Sequence, residues 1–318
     1  MQRCSTTKLQ ELLGVRIPLI QGGMSWVSQH ALAAAVSEAG ALGVIGSGGM
    51  DEVQLRAEIR ALRVLTKRPF AVNLPLTNVH PDHDNELVER CLEVILDEVV
   101  PVVVTSAGAP SRCTPAFKER GIKVLHVVPS PRLARKCEET GVDAVIAESS
   151  EGGGHVRVIG LSTFALIPQV VDTVSIPVVA AGGIADARGV AAAVALGAQG
   201  VQVGTRFIAT TECNAHPHFK QALVEAQAEG TAIYSRDYHA SRALQTPAVR
   251  HMLEMEERGV GLEELRAYRG RGRARAGCVQ GDLQEGILPA GAAAGLVGEI
   301  LPAAEVVRAL SMGFGATT

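Results

Sequence analysis

The strongest constraint on this chain is a repeated unit. Eight short runs of β-branched and apolar residues recur, each followed by an alanine-rich or amphipathic stretch. The runs are Ile17-Pro-Leu-Ile-Gln21, Ala41-Leu-Gly-Val-Ile45, Phe70-Ala-Val-Asn-Leu74, Val102-Val-Val-Thr105, Lys123-Val-Leu-His-Val-Val128, Ala144-Val-Ile-Ala147, Pro177-Val-Val-Ala-Ala181 and Gly200-Val-Gln-Val203. Apolar runs without alternation belong to strands covered on both faces, as in a parallel sheet. Between them, segments such as Glu52 to Leu65 and Gly189 to Leu196 read as helices, and Gly40, Gly121, Gly141 and Gly197 stand where helices end. Eight β-α units in succession predict an α/β fold, a (β/α)8 TIM barrel.

After Arg206 the rhythm is lost. Residues 210–285 read as helices and loops with no clear strands, so a helical insertion or lid is expected after the eighth strand. Gly286 to Leu310 reads as a closing helix. The barrel then comprises 1–209 and 286–318, with 210–285 as the lid. Inside the lid lies Arg269-Gly-Arg-Gly-Arg-Ala-Arg275. It is open to two readings, a solvated loop or an anion clamp over the barrel mouth, since guanidinium forks match phosphate geometry.

Composition narrows the partners. Lys plus Arg is 30 against 33 Asp plus Glu, and ten residues are aromatic, so neither a phosphate backbone nor stacked bases are matched and no nucleic acid is expected. No apolar run reaches the roughly 18 residues of a membrane span. The first residues lack the apolar core of a signal peptide. Six cysteines at 4, 91, 113, 137, 213 and 278 form no C-x-x-C pair, which argues against zinc or a thioredoxin-like centre. The expectation is a soluble, reduced, cytoplasmic protein.

In a TIM barrel the chemistry sits on the loops that follow the strands. The first such loop, Gln21-Gly22-Gly23-Met24, lets backbone amides approach a flat ligand, or simply turns tightly. Asn73, ending the third run, can bond a heterocycle edge or a neighbouring loop. The sixth loop, Glu148 to His155, sets three glycines before a histidine that titrates near neutrality, a candidate acid or base. The seventh and eighth loops, Ala181-Gly182-Gly183 and Gly204-Thr205, suit a phosphate held by amides at a helix start. Elsewhere His216 and His218, split by Pro217 and lacking a third ligand, suggest a capped loop, so no metal is expected. His126 reads as a packed group, Cys113 as a bystander, and His30, His80, His83, His239 and His251 show no partner pattern.

Taken together, Ile20-Gln-Gly-Gly-Met24, Phe70-Ala-Val-Asn73, Glu151-Gly-Gly-Gly-His155, Ala181-Gly-Gly-Ile-Ala-Asp186 and Val203-Gly-Thr-Arg-Phe207 resemble the nitronate monooxygenase (2-nitropropane dioxygenase) family. That family includes enoyl-acyl-carrier-protein reductase II and an NADH:quinone reductase branch. The resemblance spans Leu9 to Leu310 and implies one non-covalent FMN. By similarity Gly22, Gly23 and Met24 line the flavin, Asn73 contacts it, and Glu148 and Gly153 lie beside it. The phosphate sits on Ala181, Gly182, Gly183, Gly204 and Thr205, and His155 matches the catalytic histidine. Val127 stands where some members have a lysine. Ala181 to Phe207 is also similar to inosine-monophosphate dehydrogenase, but the cysteine that enzyme needs is missing from the sixth loop.

The resemblance implies a small-molecule substrate: a nitronate oxidised with O2, placed ahead of an enoyl thioester reduced with NAD(P)H as co-substrate and of a quinone. Acyl carrier protein is an implied partner in the reductase case, and a homodimer is admitted. A barrel that binds a phosphorylated ligand without redox chemistry is the rival from another class, and it would be colourless.

Overall fold

A computed structural model describes residues 6–76, 85–158, 160–270 and 272–315. Eleven strands are formed among them: β1 Leu19–Gln21, β2 Gly43–Gly46, β3 Phe70–Pro75, β4 Val102–Ser106, β5 Lys123–Val128, β6 Ala144–Glu148, β7 Gly154–His155, β8 Val178–Ala181, β9 Gly200–Val203, β10 Thr231–Tyr234 and β11 Ser241–Leu244. Eight of them pair in parallel in the order β1-β9-β8-β6-β5-β4-β3-β2. The ends of that order also meet. Gln21 N donates to Leu42 O and Leu42 N to Leu19 O, both at 2.9 Å, which closes the sheet into a barrel.

Alternate residues of each strand face two different cores. Leu19, Ile45, Val72, Val103 and Val145 face the helices, while Ile20, Val44, Ala71, Val104 and Ile146 fill the barrel. The first helix, Lys8–Leu13, adds Leu9 and Leu13 to the interior cluster and plugs the lower end. A Cβ on Gly200 would lie 2.4 Å from Leu9 Cδ2, which shows how closely β9 rests on that plug. The open end is therefore the upper one, where the strands' carboxyl termini lie. The four glycines read as helix ends all have positive φ, from 71° to 97°.

The insertion differs from its sequence reading. Helices Pro217–Val224, Pro247–Glu257 and Leu262–Arg269 are present, but so are β10 and β11, which pair antiparallel. β11 pairs in turn with β7, setting Ser241 opposite His155. Thr-Ala-Ile-Tyr and Ser-Arg-Ala-Leu are too short to show a period. Their partner, a loop about ninety residues earlier, is invisible to local pattern. Tyr234, Ala243, Val249 and Met252 of the insertion, with Ile287 just beyond it, form a small separate core. The closing helix is also shorter than expected, Ala303–Ser311. Pro289 and Pro302 break the preceding stretch, which holds one 3-10 turn, Ala292–Leu296.

Candidate active site

The upper ends of the barrel strands open into a cavity of about 1010 Å³. All twelve residues singled out from the sequence line it, from the loops after β1, β3, β6, β8 and β9.

At β1, Gln21 is fully buried. Its amide donates to the Gly22 carbonyl, and its Oε1 accepts from Val44 N at 3.0 Å, so the turn is tied to β2. A Cβ on Gly23 would come within 2.4 Å of Asn73 Cβ. Only glycine lets this loop lie on the end of β3. Asn73 itself donates to Val104 O at 2.9 Å and to Ser106 Oγ at 3.3 Å, so β4 fixes how its amide faces the cavity.

On the opposite wall, Gly183 has φ +73°, a left-handed turn that L side chains rarely adopt. Among the described residues no protein acceptor takes the N–H of Gly183 or of Gly204. Gly204 also precedes the one-turn helix Thr205–Ile208, whose first amides have no helical partner. Thr205 Oγ1 accepts from Gly291 N at 2.8 Å, and a Cβ on Gly153 would lie 2.7 Å from that same nitrogen. The segment around Gly291 thus locks the β6 and β9 loops together. Free donors on the loops after two neighbouring strands suit an anion such as a phosphate.

Among the described residues, two cavity side chains present acceptors that no protein donor takes. The Glu148 carboxylate accepts no hydrogen bond among the described residues, and burial pushes its pKa up to about 7. Gln202 Oε1 is buried without a partner, and its Cδ stands 3.5 Å from where a Gly22 Cβ would be. A heterocycle with its own N–H groups would satisfy such acceptors. Gln202 was missed at the sequence level. The available signal was one polar residue in the otherwise apolar run Gly200–Val203.

Among the described residues, three histidines line the cavity. His126 is buried with Nδ1 2.8 Å from Thr105 Oγ1, and burial pushes its pKa down to about 4, so it is neutral. His155 is exposed at the rim in β7. His239, with no pattern in the sequence, lies with its ring centroid 6.3 Å from that of His155.

The remaining sequence candidates have structural work. His216 Nδ1 accepts from His218 N and caps its helix, and His218 Nδ1 lies 3.0 Å from Gly281 O. Cys113 is buried, with its thiol pushed up to about 11. Arg269 donates to Tyr238 O, His239 O and Ser241 Oγ, and Arg273 to Tyr268 O and Glu285. Those two arginines are staples within the insertion, not free forks of a clamp. Arg271, like His80 and His83, lies outside the described residues.

The sequence matches the profile of the nitronate monooxygenase family over residues 6–313. A structure of FabK from Thermotoga maritima superposes with a TM-score of 0.91 at 42% identity, covering 99% of this chain and 97% of that one. A nitroalkane oxidase from Streptomyces ansochromogenes superposes with a TM-score of 0.83 at 31% identity, covering 98% and 99%. A probable nitronate monooxygenase of Staphylococcus saprophyticus is 33% identical over 72% of this chain and 75% of its own.

Proposed function

This chain belongs to the nitronate monooxygenase family and is an oxidoreductase, and from that premise we propose that it binds FMN and oxidises alkyl nitronates with O2. The observation that carries this is the cavity: unpaired amides after β8 and β9, the unpartnered Gln202 Oε1 and the Glu148 carboxyl on the adjoining strand ends, and a histidine at the rim. Ala181, Gly182, Gly183, Gly204 and Thr205 would hold the phosphate. Gly22, Gly23, Met24, Asn73, Glu148 and Gly153 would border the ring. Bound FMN supplies the electron transfer that protein side chains cannot. The chain's own part is to bind and orient, and to move a proton. With the nitroalkane itself, His155 would take the proton from the carbon beside the nitro group, giving the nitronate, and pass it to solvent at the rim. Neutral His126, fixed by Thr105, adds no charge beneath the substrate.

Residues 210–285 form a lid in this reading, over a barrel of 1–209 and 286–318. Among the described residues no helix is long and apolar enough to cross a membrane. A cytoplasmic location is part of the proposal, supported by five cysteines that remain buried thiols.

The 42% identity with FabK supports a second reading, reduction of an enoyl thioester by NAD(P)H, with acyl carrier protein as partner. There His155 would deliver the proton at the α-carbon. Purified protein decides the matter in two steps. Absorption near 370 and 450 nm, approximate for any oxidised flavin, tests the cofactor; colourless protein that takes up no FMN sinks both readings. Oxygen uptake with propyl-2-nitronate is then set against NADH or NADPH oxidation with a crotonyl thioester. Turnover of the thioester alone replaces the first reading by the second.

A further inference from the structure

The loop between β10 and β11, residues 235–240, is unusually constrained. Its first residue, Ser235, and its last but one, His239, both have left-handed backbones, with φ of 54° and 49°. Such values are uncommon outside glycine and persist only where surroundings impose them. The surroundings are identifiable. Arg269 donates to the Tyr238 and His239 carbonyls, and Ser241 Oγ donates to the His239 carbonyl at 3.0 Å. The guanidinium of Arg269 also lies 5.5 Å from the Tyr234 ring centre, and that of Arg266 lies 4.5 Å from that of Tyr238. Tyr238 in turn packs edge-to-face on His239 at 4.7 Å.

These contacts deliver the His239 ring to one place. It lines the catalytic cavity and meets His155 at 6.3 Å between centroids, with the planes at 86°. The backbone on the other side is fixed too: β7 pairs with β11, and Val156 N donates to Ala240 O at 3.0 Å. One histidine ring is thus held perpendicular to another, His155 on β7 and His239 in the loop that leads into its partner strand β11. An edge-to-face arrangement is the one that ring pairs at this distance favour.

We propose that His239 is a positioning residue: its ring sets the orientation in which His155 presents its nitrogen to substrate. Its role makes the insertion part of the active site rather than a cover. Burial, then the charges of Arg269 and Arg266, hold the His239 imidazole below the ordinary histidine range. The proposal rests on His155 as the proton-transfer group argued above.

The experiment uses flavin-loaded H155A, H239A, H239F and the H155A/H239A double variant, assayed with 2-nitropropane under air and with NADH plus a crotonyl thioester. H239A should lower kcat about tenfold, the scale of a misplaced catalytic group, with KM and bound flavin unchanged. H239F keeps a perpendicular ring and should restore most of the rate. The double variant should match H155A alone, because His239 acts only through His155. The ring resonance of His155 in flavin-free protein gives a readout without turnover: it should shift in H239A, where the neighbouring ring current is lost, and move back in H239F. Additive losses, an unmoved His155 resonance, or a loss confined to KM or flavin content would overturn the proposal. H155A turning over like the parent sinks the functional reading of His155 and this inference with it. An impaired H155A beside an unimpaired H239A removes the positioning role alone.

Discussion

Burial and neighbours divide the labour among the polar residues of the cavity. His126 is kept neutral by burial, while His155 stands where water can reach it. Only the second can exchange protons with solvent during turnover, so His155→Ala should keep the flavin and lower turnover by about 10²-fold or more. Retention of the full rate with every substrate class would remove the assignment. Glu148 is the second informative residue. Its carboxyl is raised to about 7. Between the ordinary carboxylate range and that value, the unfolded chain has released this proton while the folded chain keeps it, so the folded state loses stability as pH rises through the window. In flavin-free protein, Glu148→Gln should melt like the parent near about pH 4 and increasingly above it as pH approaches about 7. A difference that does not change with pH would mean the carboxyl ionises freely in cavity water. The twelve lining residues were legible because glycine pairs and a histidine at strand ends have few other reasons to recur together. Gln202 and His239 were not. One was hidden in an apolar run, and the other owes its place to a loop fixed by Arg269, far along the chain.

At the scale of elements, the two phosphate-facing loops can be probed with different precision. Gly183 is a poor test: its left-handed φ and a Cβ position 2.2 Å from Glu151 Oε2 make any side chain disruptive. At Gly204 the backbone is ordinary, and a Cβ would meet only the Met24 side chain, at 3.5 Å or more. Gly204→Ala should therefore purify yellow, while Gly204→Asp, which adds charge beside the free amides, should lose the flavin. Equal colour in both would move the anion site elsewhere. The insertion offers the converse case. Arg273 bonds the Tyr268 carbonyl at 2.7 Å and the Glu285 carbonyl at 2.8 Å, and lies 4.2 Å from the Tyr268 ring centre. Arg273→Ala should cost about 1–3 kcal/mol in thermal or denaturant unfolding, leaving KM for NADPH unchanged. A selective rise in that KM at unchanged stability would restore the anion clamp. The eight barrel strands were readable from sequence because each is buried on both faces. β10 and β11 were not, since their stability comes from pairing with each other and with β7.

Across the whole molecule, the closed barrel and the cavity make one thermodynamic system. The lower end is filled by Leu9 and Leu13 from the first helix, whereas the upper end depends on five loops and on the Gly291 segment that joins two of them. A ligand spanning those loops stabilises the native state without binding the unfolded one. FMN added to flavin-free protein at 100 times its Kd should contribute about 2.7 kcal/mol, a rise of a few degrees in Tm for a chain of this size. The rise should grow with the logarithm of FMN concentration. Riboflavin, which lacks the phosphate, should produce much less of it, because the free amides of Gly183 and Gly204 would find no anion. Gly204→Asp should abolish the difference between the two flavins. If riboflavin stabilises the parent as well as FMN does, the loops after β8 and β9 do not hold the phosphate. The unpaired amides would then belong to the anionic end of a substrate instead.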